Sequence, residues 1–506
     1  MSIFNRWKRI LASALVCTLL SAVLTVPAAA AGFQDVPAGH WAATEIQECV
    51  ERGFFKGQSA AHFGLGQPMT RAAFSVVLCR FFGWDTPAPA YPTFSDVPVT
   101  DWYAGAVEAA FTHGAFTRQE AQFRPSDPIT REELTVTLLR AMGYSTLAGL
   151  AAEDSIPFED VSENAGYISL AYSLGLMNGT SATTFSPERQ ATREQVAVIL
   201  MRLYRKLHQA SPEQVAILNA TETAPDFTGV SVAAIPAGRL LYISGQPKVN
   251  GAMAAETASM LQHASRNAGI PTLLHVTGGS TALKGSASAT AAALVSAVTE
   301  GSYDGLFLDI PKLKSNKAQS LTALARELRQ QLGARPLYLT VEAPSRNETA
   351  YTGYDFRTLS TFADRLVLRI APYTDIAGKL MLAPVDPLED IFYAASTLRT
   401  AIPAEKISLL LQTGNAVWKG LTQADSLTQT EFEEALESGD FQLYYSERYA
   451  CAYLSGTADY NARTVIWYLN GRAAAERVQM TRLLGIDQIC ISDFSTASGD
   501  VLSGLK

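Results

Sequence analysis

Residues 33–205 carry one pattern three times over, and a repeated helical unit too small to bury its own apolar face must pack against its copies. The units open on Phe33-Gln34-Asp35-Val36-Pro37, Phe94-Ser95-Asp96-Val97-Pro98 and Phe158-Glu159-Asp160-Val161-Ser162. Each later reaches a Thr-Arg pair, at Thr70-Arg71, Thr130-Arg131 and Thr192-Arg193, spaced by 60 and then 62 residues. Apolar residues at helical spacing, such as Ile46, Val50 and Phe54, predict a first helix in each unit. A glycine-bearing turn follows, then a loop ending in Phe63, Phe123 or Phe185. A second helix starts with the threonine as its N-cap; Thr130 with Glu133 has the capping-box form. The expected architecture is an all-α, three-fold helical bundle. An arginine one step inside a helix N-terminus adds a guanidinium fork to unpaired N–H groups, a combination suited to a carboxylate. The competing reading of Arg71, Arg131 and Arg193 is a salt bridge to the neighbouring repeat.

These units resemble S-layer homology domains, over residues 33–85, 94–145 and 158–205. The resemblance implies non-covalent attachment to a secondary cell-wall polymer, pyruvylated in many relatives, at the surface of a bacterium. It places the family's arginine on Arg71, Arg131 and Arg193 and its helix-start tryptophan on Trp41 and Trp102. The third repeat has no such tryptophan, and the second has Arg118 where Gly57 and Gly179 stand. These departures predict that at least one of three grooves is silent.

Arg6, Lys8 and Arg9 precede an apolar run over residues 10–26, and small residues follow to Gly32. That order reads as a secretory signal over residues 1–31, cleaved near Ala30 or Ala31, with an uncleaved anchor as the alternative. No later stretch has the ~20 apolar residues of a membrane span. The 506 residues carry a net charge of −8, and no basic run occurs downstream of the signal, which argues against nucleic acid as a partner. Cys49, Cys79, Cys451 and Cys490 show no metal-binding spacing, and neither metal nor cofactor is expected. Cys49 and Cys79 are either buried thiols or a disulfide.

Residues 206–226 read as a polar linker. From there to residue 506, strand-like and helix-like stretches alternate, which argues for a closed α/β barrel of the (β/α)8 type. Seven strands are visible, at residues 240–243, 272–276, 305–310, 337–341, 366–370, 407–411 and 488–491; an eighth lies in 214–219 or 230–235. In such barrels chemistry sits at the C-terminal strand tips. Asp304, Asp309, Pro311, Glu342, Tyr373 and Asp493 are accordingly expected around one mouth. Residues 417–464, with Tyr444, Tyr445, Tyr449 and Tyr453, read as an insertion after the seventh strand.

The run Tyr303-Asp304-Gly305-Leu306-Phe307-Leu308-Asp309-Ile310-Pro311 resembles the fourth-strand motif of glycoside hydrolase family 18, the chitinase and spore-cortex glycosidase barrels. That motif, D-x-x-D-x-D-x-E, puts its first and last aspartates on Asp304 and Asp309, its middle one on Phe307 and its catalytic glutamate on Pro311. The family's strand-eight tryptophan falls on or near Ser492. The resemblance implies that Asp309 would orient a substrate acetamide, with Tyr373 beside it, and that the proton donor is gone. General acid catalysis contributes ~10²–10⁴-fold. The expectation is therefore a wall-anchored, non-catalytic barrel that holds a glycan such as peptidoglycan or an N-acetylglucosamine polymer. The alternative is a hydrolase with a relocated acid, for which Glu342 on the next strand tip is the candidate. The plainer reading of Glu342 is a carboxylate paired with Arg369 or Lys312, and that of His275 is a satisfied core histidine.

Overall fold

A computed structural model describes residues 32–118, 122–152, 156–220, 223–344, 351–370, 384–420, 422–457 and 463–506. The expected signal segment and Tyr373 lie outside the described residues. The chain divides into two compact units, one holding most of residues 32–202 and the other centred on residues 203–506.

Each repeat supplies a helix pair: Ala43–Glu51 with Arg71–Phe82, Ala104–Thr112 with Arg131–Ala141, and Ala165–Ser173 with Arg193–Leu207. The first two Thr-Arg helices start as their sequences dictate. Thr70 accepts from the Ala73 N–H, and Thr130 forms a reciprocal capping box with Glu133. In the third, the Thr192 N–H donates to Gln195, while the Thr192 hydroxyl is buried with no hydrogen-bond partner among the described residues. The approaches to these helices close a ring of backbone hydrogen bonds. Ile129 N–H donates to Met69 O, Met69 N–H to Ala191 O and Ala191 N–H to Ile129 O, at 2.8–2.9 Å. Three repeats complete that ring, with each repeat satisfying the next.

The second unit is a barrel. Its strands are β1 (Glu213–Ile217), β2 (Val230–Ile243), β3 (Gln246–Gly251), β4 (Thr272–Gly278), β5 (Gly305–Asp309), β6 (Leu337–Glu342), β7 (Arg365–Arg369) and β8 (Ile407–Leu411). An inserted sheet follows: β9 (Asn415–Lys419), β10 (Thr422–Ala424), β11 (Phe441–Ser446), β12 (Cys451–Gly456) and β13 (Thr464–Tyr468). Strand β14 (Gln488–Ile491) ends the series. Eight parallel strands run in the order β1-β14-β8-β7-β6-β5-β4-β2, and pairing of β1 with β2 closes the circle. The near-continuous apolar runs are what strands covered on both faces need. One residue from every barrel strand fills the central layer: Val215, Ala234, Leu273, Phe307, Tyr338, Val367, Leu410 and Cys490.

Three expectations need correction. Of the two places offered for the eighth strand, the first holds it: β1 lies within the stretch also read as a linker and pairs with both β14 and β2, so the barrel starts before residue 227. Residues 230–235 and 240–243 are one strand; Pro236 has no N–H for the ladder, and the register with β4 shifts between Ile235 and Gly238. Asp304 is not at the mouth. Its carboxylate accepts from the Thr272 N–H at 2.7 Å, at the N-terminal end of β4. All four described cysteines are buried thiols; those of Cys49 and Cys79 lie against the carbonyls of Ala197 and Ala106. No helix among the described residues is long and apolar enough to cross a membrane.

Candidate functional site

The three arginines of the helical unit are inter-repeat staples. Arg71 Nε donates to Phe123 O, Arg131 Nε to Phe185 O and Arg193 Nε to Phe63 O, at 2.8–3.0 Å. Each guanidinium also lies over the ring of that same phenylalanine. The receiving loops are tied down by the aspartate that opens each repeat. Asp35 accepts from three backbone N–H groups, at Phe63, Gly64 and Leu65. Asp96 holds Phe123 and Arg124 in the same way, and Asp160 holds Phe185 and Ser186.

Beyond this shared geometry the grooves differ in charge. Arg71 pairs with Glu133 at 2.7 Å, in a groove of about 290 Å³ whose lining holds Arg124 and Arg140 against Glu132, Glu133 and Glu163. Asn164 of the third repeat borders it and donates to Glu132. The groove at Arg131, also about 290 Å³, is lined by Arg189 and Arg202 as well, with Trp41 at its edge and no carboxylate among its described lining residues. Arg131 donates its remaining described bond to Asn178 O; burial, then Arg189 nearby, lowers its affinity for its proton. Trp41 is 60% exposed and Trp102 71%. Neither indole is core.

At the barrel mouth, alternation along each strand decides what points inward. Phe307 belongs to the central layer, so Asp309 lies above it; Leu273 sets His275, Tyr338 sets Thr340 and Glu342, and Val367 sets Arg369. Arg369 dominates the result. Its Nη1 donates to Asp309 Oδ1 at 2.9 Å, its Nη2 bonds Asp309 Oδ2, and Nη1 stands 3.8 Å from Glu342. Burial would raise the Asp309 carboxyl, but His275 and the Arg369 guanidinium hold it well below the usual carboxylate range. Burial pushes Glu342 upward, against partial relief from Arg369 and the Lys312 N–H at 3.2 Å. Glu342 is only 3% exposed. His275 is not the satisfied core histidine the sequence suggested: both ring nitrogens are buried without a hydrogen-bond partner, Nε2 lying 3.9 Å from Asp309.

Above these groups opens an axial cavity of about 360 Å³ with lining residues from all eight barrel strands or the loops leaving them, including His275, Asp309 and Arg369. A second cavity, about 470 Å³, shares Asn219, Gln412, Ser492 and Asp493 with the first and extends to Asn415, Phe432 and Tyr468 of the insertion. Asp386 sits in its floor, both oxygens accepting from Gln412, and burial pushes its carboxyl up to about 6. Sequence reasoning paired Arg369 only with Glu342 and passed over Asp386 and Asn219. The arginine left a signal, a cation on the inward parity of an apolar strand.

The S-layer homology domain family matches residues 32–75, 93–135 and 157–197. The repeats are S-layer homology domains. The chain is 30% identical across 181 residues to an exoglucanase of Acetivibrio thermocellus, covering 34% of this chain and 16% of that protein. It is 26% identical across 201 residues to an S-layer protein of Bacillus thuringiensis subsp. finitimus, covering 39% of this chain and 24% of the other. The chain thus spans well under a third of either relative. S-layer homology domains together with S-layer relatives mark this as a cell-surface protein. The barrel has the fold of the family 18 chitinases. A chitinase from Chromobacterium violaceum superposes with a TM-score of 0.51 at 18% identity, covering 58% of this chain and 99% of that one. A class V chitinase from Pseudomonas fluorescens gives 0.51 at 16% identity, covering 58% and 100%.

Proposed function

We propose that the S-layer homology domains bind an anionic secondary wall polymer, pyruvylated or otherwise carboxylated, chiefly through the Arg131 groove. The observation that carries this is the contrast between grooves. Where Arg71 already faces glutamates, the Arg131 groove offers three arginines, an exposed indole for a sugar face and no opposing carboxylate in its described lining. Arg193 bonds carbonyls of Phe63 and Lys56 and is the second choice. The whole protein should pellet with cell-wall sacculi. Trp41→Ala with Arg189→Ala should weaken pelleting at least about tenfold, since bonds to charged groups contribute about 1.5–3 kcal/mol each. Arg124→Ala, in the other groove, should leave it unchanged; the reverse ranking would assign the site to Arg71.

For the barrel we propose a glycan-holding, non-hydrolytic role. Pro311 stands where the resembling motif has its acid, and Arg369 occupies both oxygens of Asp309. The carboxylate that would orient an acetamide is thereby already engaged. A second reading rests on Glu342: a carboxyl whose burial favours the protonated form is what a relocated acid requires. Incubation with N-acetylglucosamine oligomers and peptidoglycan decides between them. No turnover, with Pro311→Glu restoring none because Arg369 still holds Asp309, fits the first. Turnover abolished by Glu342→Gln establishes the second.

A further inference from the structure

Resting on the glycan-holding reading, we propose that the barrel mouth selects a de-N-acetylated amino sugar, a unit carrying a free ammonium, over its N-acetylated counterpart. The ionisable groups around the two adjoining cavities set the preference. Their described lining holds the carboxylates of Asp309 and Asp493 against one guanidinium, Arg369; the Asp386 carboxyl, pushed up to about 6, adds charge only as the pH rises past it, and His275 and Tyr468 are the other titratable groups. Arg477 lies close to Asp386 but is 0% exposed and donates to the carbonyls of Ala450, Ala473 and Asp386.

Hydrogen-bond capacity points the same way. His275 is 7% exposed, lines the axial cavity and, among the described residues, has no hydrogen-bond partner on either ring nitrogen, Nε2 standing 3.9 Å from Asp309. Asn219, which donates through Nδ2 to Asp493, keeps a buried Oδ1 that accepts from no donor among the described residues. The cavity therefore presents an unfilled acceptor on Asn219 beside the Asp493 carboxylate, and ring nitrogens of His275 that have yet to make a hydrogen bond. A primary ammonium supplies three donors and no acceptor, and its charge opposes the local carboxylate excess. An acetamide brings a carbonyl acceptor and a methyl group instead, and its N–H finds Asp309 already bonded on both oxygens by Arg369.

Calorimetric titration of the whole protein with glucosamine tetramer and with N-acetylglucosamine tetramer, in mildly acidic buffer, tests the preference. The free-amine tetramer should bind at least about tenfold more tightly, and added salt should erode the difference. Asp493→Asn should remove most of that margin. Asn keeps the side chain's shape and tolerates the left-handed backbone at this position, φ 46°, so the variant should fold. Equal or tighter binding of the N-acetylated tetramer overturns the selection while leaving the glycan-holding role standing. Binding of neither tetramer overturns that role as well, and an unchanged margin in Asp493→Asn refutes the charge basis.

Discussion

Two buried carboxylates of the barrel experience burial in opposite company. Asp309 has a guanidinium on both oxygens and is held ionised; Asp386 has only the Gln412 amide groups there and is pushed up to about 6. From about pH 4 to pH 6 the folded protein therefore holds a proton on Asp386 that the unfolded chain has released. Folding stability contributed by this group falls as pH rises through that window and is flat above it. Asp309 works the other way, losing its contribution as pH drops below the ordinary carboxylate range. Asp386→Asn removes the first dependence and keeps the second. The variant should gain on the wild type by up to roughly 3 kcal/mol between pH 4 and pH 7, two units at about 1.4 kcal/mol each. The amide puts one N–H against a Gln412 donor, a constant cost that shifts the whole comparison without tilting it. Urea unfolding of the barrel at the two pH values reads the difference, and a gap that does not widen with pH would show that Asp386 is ionised like an exposed carboxylate.

At the scale of elements, the repeat legible in the sequence is a relay from aspartate to loop to arginine. The opening aspartate holds backbone N–H groups, the loop presents a phenylalanine carbonyl, and the next-repeat contact of the arginine lands on that carbonyl. The Thr-Arg spacing and the capping box were readable because they are local. The electrostatic difference between grooves was not, because Glu132, Glu163, Arg189 and Arg202 are ordinary surface residues until three repeats bring them together. The relay predicts an effect at a distance from the sugar. Asp160→Ala frees the loop under Arg131 and should reduce sacculus pelleting several-fold, with Asp160→Asn intermediate because its one oxygen replaces two. Asp96→Ala disturbs the loop under Arg71 and should leave pelleting near wild type. Equal losses would mean that the grooves share the load. The same locality explains the barrel's partial legibility. Strand tips followed from apolar runs, whereas the Arg369–Asp309 pair joins β7 to β5 across β6 and has no local trace.

For the whole molecule, the least legible feature is where the barrel begins. Strand β1, Glu213-Gln214-Val215-Ala216-Ile217, overlaps the 214–219 stretch that the sequence offered as one of two places for an eighth strand, yet it is short and polar enough at its start that the same residues also read as linker. Its importance is topological. It alone joins β14 to β2, and it contributes Val215, 0% exposed, to the eight-residue central layer. Gln214 also fastens the far end of the chain, donating to Leu505 O. A fragment of residues 227–506 therefore leaves two unpaired strand edges in what should be a closed sheet, a configuration that invites aggregation. It also leaves a gap in the layer, where deleting a buried aliphatic side chain costs about 2–5 kcal/mol. A fragment of residues 209–506 restores both. The longer fragment should elute as a discrete species and melt cooperatively, while the shorter should aggregate or lack a cooperative transition. Matching elution and melting midpoints for the two would mean that the barrel closes without β1, and that the pairing of β1 with both neighbours is a consequence of closure, not its cause.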